Sequence, residues 1–261
     1  MARAETKGVW ARRLTWAALV LSIGGLAAAL AGALGSGQGA WHFRTGFTIL
    51  RYTFYAAIAG GLIAILAMIL AQRSKVRGLR TRNVLALAVA LLFVGYLGKH
   101  IQTARSVPAI HDVTTDLQDV PEFRALSVRE DNLENIPGED KPEFAGMDPE
   151  ERWKALHREG YPDVKPVRVP WTVQETIGKA QALADKRGWQ IAHVDAGRGT
   201  LEATDTTRFF RFKDDVVVRA RKDPQDKGTI VDMRSISRVG GSDVGVNAQR
   251  VREFLKDLRQ S

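Results

Sequence analysis

Leu14 to Leu34 is an uninterrupted run of 21 residues without a charge. An α-helix rises about 1.5 Å per residue, so this run reaches roughly 31 Å, enough to cross a hydrocarbon core of about 30 Å. Tyr52 to Ala71 is a second uncharged run, of 20 residues. Val84 to Leu97 is a third, of 14 residues, and extends to 83–101 if the Lys99 ammonium snorkels to the interface. Runs that short are often buried core helices. The apolar composition of this one (LALAVALLFVGYL) and the two longer runs before it favour a span. Arg12 and Arg13 precede the first run as they would in a signal peptide. That run is longer than the roughly 7–15 residues of a signal h-region, and further spans follow, which favours retention. The expectation is a tail over 1–13 and three transmembrane helices at about 14–34, 52–71 and 83–101.

Charge divides with this boundary. Residues 1–98 hold 11 Lys+Arg and one acid, Glu5, for +10; residues 99–261 hold 27 Lys+Arg and 28 Asp+Glu, for −1. The basic excess therefore belongs to the membrane region, and the soluble part lacks the whole-domain basic footprint of a nucleic-acid binder. The segments flanking the spans carry four cations (Arg3, Lys7, Arg12, Arg13), then two (Arg44, Arg51), then five (Arg73, Lys75, Arg77, Arg80, Arg82). Under the positive-inside rule the tail and the second loop are cytoplasmic, and residue 102 onward lies outside. In a bacterium with two membranes that means a multi-pass inner-membrane protein with a periplasmic C-terminal domain. No acid lies inside a span, which argues against ion-coupled transport by this half. Gly24, Ala28 and Gly32, and Ala56, Gly60 and Ala64, recur every four residues. Small residues at that spacing let helices approach closely, either within the three-helix unit or in an oligomer. The chain has no cysteine, so disulfides, thiolate metal sites and a Cys nucleophile are excluded.

Residues 102–165 change character. They include Pro108, Pro121, Pro137, Pro142 and Pro162, and Asp112 to Asp163 holds 15 acids against 6 bases. One reading is a solvated acidic linker; the other is an arm lying along the basic face of the domain behind it, since residues 164–261 carry 19 bases and 13 acids. Apolar residues interleaved with the acids favour an ordered arm over 106–128, whereas 129–147 is expected to be disordered. Asp148 caps a short helix over 149–156.

The soluble domain, 166–261, reads as α+β. Thr172 and Glu175 form a capping box for a helix that Gly188 closes. Strands are expected over 189–194, 200–204, 208–212, 215–221 and 229–235, with Val216, Val218, Ala220, Val231 and Met233 on one face and Arg219, Arg221, Asp232 and Arg234 on the other. A last helix runs from about Ala248 to Leu258, with Asn247 as its N-cap. The fold class is thus a three-helix transmembrane region followed by an antiparallel sheet with two packing helices.

Three motifs carry a resemblance: Ile110-His-Asp-Val-Thr-Thr-Asp116, Phe212-Lys-Asp-Asp-Val-Val-Val218 and Arg234-Ser-Ile-Ser-Arg-Val-Gly-Gly-Ser-Asp-Val-Gly-Val-Asn247. In this order they resemble the family of domain of unknown function 1499, over about 106–261. The resemblance implies a membrane-associated bacterial protein and implies no activity, cofactor or catalytic residue.

Read as chemistry, Arg234, Ser235, Ser237, Arg238, Ser242, Asp243 and Asn247 surround a Gly-rich loop entering a helix. Free N–H groups there, with the arginines, would suit an anion. The alternative is structural: Arg234 and Arg238 pair with Asp214, Asp215 or the acidic arm. His111, Asp112 and Asp116 on the arm are further ligand-binding candidates, but they are too few and too extended to close a metal site. Ser235, His111 and Asp243 share no triad spacing. The leading expectation is a non-enzymatic module outside the membrane, binding a partner protein or an anionic envelope molecule. The alternatives are an envelope hydrolase or transferase, and a structural spacer.

Overall fold

The computed structural model describes residues 2–134 and 136–261, with side chains from Thr6 onward. Packing divides the chain into two compact units, Met1–Gln102 with Arg208–Arg211, and Thr103–Thr207 with Phe212–Ser261.

The first unit holds three helices long and apolar enough to cross a membrane. The first comprises α1 (Ala2–Leu19), a π-helical turn (Val20–Gly24) and α2 (Gly25–Gly37); α3 (Phe43–Arg73) and α4 (Arg80–Ser106) follow. The uncharged run at 84–97 is thus the middle of a 27-residue helix, whose polar ends hid its length. Close approach rests on small side chains: Ala57, Gly60, Ala64 and Ala67 of α3 are all buried. A Cβ on Gly60 would lie 2.5 Å from Ser22 Oγ, and one on Gly25 would meet the Thr53 carbonyl at 3.6 Å. The Gly60 stripe therefore packs within the unit, while Gly24 and Ala28 remain exposed. One buried polar pair links the helices: Asn83 Nδ2 donates to Thr15 Oγ1 at 3.0 Å.

In the second unit a fully antiparallel sheet runs in the order β1 (Asp112–Thr114), β6 (Thr229–Ser237), β5 (Lys213–Lys222), β4 (Thr200–Thr206), β3 (Gln190–Asp195). β2 (Val167–Val169) shares the outer edge of β6 with β1. The period-2 alternation of the sequence sets the faces. Leu201 pairs with Val218, Ala203 with Val216, and Val218 with Met233, so one face is aliphatic. α6 (Val173–Lys186) and α7 (Val246–Leu258) cover it with Ile177, Ala180, Ala184, Val251, Phe254, Leu255 and Leu258. The Trp189 and Phe254 rings stack with centroids 5.0 Å apart. α6 starts on the expected Thr172–Glu175 capping box.

Several expectations are corrected. Residues 208–212 form no strand: the aromatic segment is the β4–β5 turn, and Arg211 sits in left-handed backbone at φ 53°, which ends an extended run. Asn247 is not an N-cap, because α7 begins one residue earlier behind Gly245 at φ 80°. The stretch 129–147 is not a loose linker among its described residues: Ile136 and Phe144 join the main core, and Asn132 is buried. Its few apolar residues find partners only because α5 (Pro149–Gly160) folds back with Trp153 and Leu156 into the same core. α5 has the Asp148 cap expected, extended to a full capping box with Glu151.

Candidate functional site

β6 positions most of the candidate residues, and alternation sends them to opposite faces. On the face away from the helices, Arg234 holds Asp112 of β1 in a two-point ion pair, Nε to Oδ1 at 2.9 Å and Nη2 to Oδ2 at 2.6 Å. Phe123 lies against the guanidinium, and the Pro121 carbonyl accepts a further bond at 3.3 Å. Burial opposes the charge of Arg234, but the Asp112 carboxylate outweighs it and raises the pKa above the usual value. Asn132 completes the cluster, donating to Asp112 Oδ2 at 2.8 Å and meeting His111 Nε2 at 3.1 Å through its own oxygen. Since that oxygen accepts, Nε2 of His111 carries the proton.

Next along the same face, Asp232 is fully buried between Arg219 and Arg221, with Oδ2 3.2 Å and 2.7 Å from their Nη2 atoms. The arm crosses above. Asp119 lies 3.1 Å from Arg219 and 3.2 Å from Arg221, and Asp116 lies 3.5 Å from Arg221. Burial raises the pKa of Asp116, but the Asp119 and Gln118 amides and the two guanidinia hold it below the usual range. Glu202, 1% exposed, takes bonds from the successive backbone amides of Arg124, Ala125 and Leu126 at 2.8–3.2 Å. The acidic arm therefore lies on the basic sheet face, the second of the two sequence readings.

On the helix-covered face, Ser235 donates to Asn247 Oδ1 at 2.7 Å, and Asn247 Nδ2 donates to Ser237 Oγ and the His111 carbonyl, both at 2.9 Å. Arg250 of α7 closes the knot, contacting Asn247 Oδ1, Ser235 Oγ at 3.0 Å, Asp214 at 2.6 Å and Asp205 at 2.8 Å. His111 contributes its carbonyl here and its ring to Asn132, so Ser235, His111 and Asp243 assemble no triad.

The Gly-rich loop is internally satisfied. Asp243 accepts from Gly245 N at 2.8 Å and Asn247 N at 2.6 Å, and the Asp243 carbonyl takes Val246 N at 3.2 Å. These are the amides an incoming anion would need. Burial raises the pKa of Asp243 despite those bonds. Ser242 accepts from Val244 N at the surface. Arg238 pairs with Asp215 at 2.8 and 2.9 Å and keeps 41% of its side chain exposed. It lines a shallow, open depression of about 480 Å³ between the arm at 125–130 and the end of β6.

A second cleft, about 390 Å³, lies between α7 and the 163–167 segment. Val164, Val251 and Leu255 form its buried floor. Lys165, Lys256 and Arg259 line it, are exposed, and form no ion pair among the described residues. Arg252 is neutralised there by Asp163 at 2.6 Å. Sequence reading missed this cleft because Lys165 stands some ninety residues from the two helix cations. It also missed Glu202, Asn132 and Arg250. For Arg250 a signal existed: it falls four residues before Phe254, on the buried side of α7.

Neither a curated protein nor a solved structure matches the chain. A family model does, over residues 112–258, which begins at β1 and ends with α7 and so spans the sheet, the arm and both packing helices. By that match over more than half its length, the chain belongs to the family described as Protein of unknown function (DUF1499).

Proposed function

We propose that this protein is a membrane-anchored binding module whose domain faces outward from a bacterial inner membrane and holds an anionic envelope ligand in the cleft between α7 and residues 163–167. The observation that carries the reading is the set of cations with no acidic partner among the described residues, Lys165, Lys256 and Arg259, around an apolar floor. Cations in the last turn of a helix complement its dipole, which accounts for Lys256. Lys165 comes from a different segment, so the dipole does not account for it. By contrast Arg234 and Arg238, first suggested by the sequence, already have carboxylates. The outward orientation rests on the four, two, five distribution of flanking cations. The hydrolase or transferase alternative gains no support: His111 and Asp112 are buried, and neither cleft is lined by them or by Arg234.

The test is the melting temperature of the detergent-solubilised full chain against increasing pyrophosphate or phosphatidylglycerol. A ligand at a hundred times its Kd stabilises the native state by about 2.7 kcal/mol. The rise in melting temperature should vanish in a Lys165→Gln/Lys256→Gln/Arg259→Gln variant and persist in Arg238→Gln. No rise with either ligand in the wild type would overturn the reading.

A further inference from the structure

The β4–β5 turn is chemically unlike the rest of the soluble unit. Arg208-Phe-Phe-Arg-Phe-Lys213 alternates three aromatic rings with three cations and contains no acid. The ladder holds firmly up to it: Thr206 pairs with Lys213, Thr207 N donates to the Phe212 carbonyl at 2.9 Å, and Phe212 N donates to Thr207 Oγ1 at 2.8 Å. Phe209 is 38% exposed, and Arg208, Arg211 and Lys213 are exposed with no ion pair among the described residues. Arg211 occupies left-handed backbone at φ 53°, where glycine or asparagine would be less strained. A tip selected for turn stability alone would not place an arginine there beside exposed phenylalanine. The other end of β5 supplies the contrast. Its turn into β6, Asp223-Pro-Gln-Asp-Lys-Gly228, contains no aromatic residue and two acids.

Aromatic rings flanked by snorkelling cations are the composition that settles in a headgroup interface. Two further facts point to a membrane rather than to a protein partner. Only five residues, Val107–His111, separate α4 from β1, so this unit is tethered beside a bilayer. And the tether enters the sheet at the end that carries this turn: Asp112 pairs with Ile236, Ile236 with Asp215 and Asp215 with Thr204, two residues before the last ladder pair of β4. We infer that the Arg208–Lys213 turn is a second membrane attachment, seating Phe209 and its neighbours in the interface of an anionic leaflet while the arginines meet lipid phosphates. This inference is independent of the cleft beside α7.

The absence of cysteine makes the test clean, because an introduced thiol carries the only label. Full-length Phe209→Cys and Gln225→Cys are spin-labelled and reconstituted into phosphatidylethanolamine–phosphatidylglycerol vesicles. Collision rates with oxygen and with a water-soluble nickel chelate are then measured. Oxygen concentrates in lipid and the chelate in water, so the oxygen-to-nickel ratio at position 209 should be several-fold that at position 225. It should fall to the value at 225 when Arg208→Glu and Arg211→Glu are added. A ratio at 209 equal to that at 225 would place the tip in water and overturn the inference. A label at 209 shielded from both reagents would mean burial in protein and would overturn it equally. Both labelled sites are exposed, and an unchanged melting temperature of the labelled chain verifies the fold.

Discussion

His157 gives the sharpest energetic prediction. It lies on α5, 2% exposed, and its Nε2 accepts the Thr114 amide of β1 at 3.1 Å. Accepting requires that nitrogen to be bare. Burial, opposed in part by the Asp112 carboxylate, pushes the pKa of His157 from 6.5 down to about 4. The unfolded chain therefore binds a proton between pH 6.5 and about 4 that the native state refuses. Stability from this group is complete above pH 6.5 and is lost as pH falls toward 4. At 1.36 kcal/mol per unit, the total is about 3 kcal/mol. Protonation also places a donor opposite the Thr114 N–H, so the β1 edge should loosen first. The assay is urea unfolding of the full chain in detergent at pH 7, 5.5 and 4, followed by tryptophan fluorescence; the Trp153 ring lies 6.1 Å from that of His157. The comparison is His157→Gln, whose side-chain oxygen can accept the same amide and does not titrate. Asp243 and other carboxylates titrate alike in both proteins and cancel. The wild-type advantage should shrink by about 3 kcal/mol between pH 7 and pH 4. Parallel curves for the two proteins would refute the reasoning.

Other consequences follow from the same contacts. Glu202→Ala strands three backbone amides beneath the arm and should lower unfolding free energy by ~3 kcal/mol or more, measured by urea titration. Arg250→Met leaves Asp214 and Asp205 facing each other without their cation and should cost roughly 3–5 kcal/mol in the same assay; Asp214 itself is 2% exposed. Gly60→Leu drives a side chain into Ser22, 2.5 Å from where its Cβ would lie, and should lower the melting temperature of the solubilised chain, by the equivalent of about 1–3 kcal/mol. A phosphatase fused after Ser261 should be active only outside the cytoplasm; activity confined to the cytoplasm would reverse the orientation.

What the sequence disclosed was whatever repeats locally. The uncharged runs announced the spans. The Thr172–Glu175 box located α6, and alternation in 215–221 and 229–235 assigned both faces of the sheet correctly. β1 and β2 escaped because three residues carry no measurable period. The candidate site was legible in composition but not in connection. Arg234 and Asp112 are 122 residues apart, and only the fold of the arm shows that they form a closed pair. Glu202 alternates onto the open face and reads there as a solvated residue, until the arm covers it. Asn132 falls in an acidic stretch that reads as disordered, whereas its amide is the bridge between His111 and Asp112. The loop at 240–245 had the glycines of an anion site, but Asp243 already fills it. The cations without an ion pair among the described residues lie instead where a helix end and a distant turn meet, a juxtaposition no spacing encodes.

The most direct test of the account is isothermal titration of the full-length chain with pyrophosphate, wild type beside Lys165→Gln/Lys256→Gln/Arg259→Gln. Saturable binding in the wild type, weakened as salt rises and lost in the triple variant, is the result predicted. Equal binding by both proteins, or none by the wild type, would contradict it.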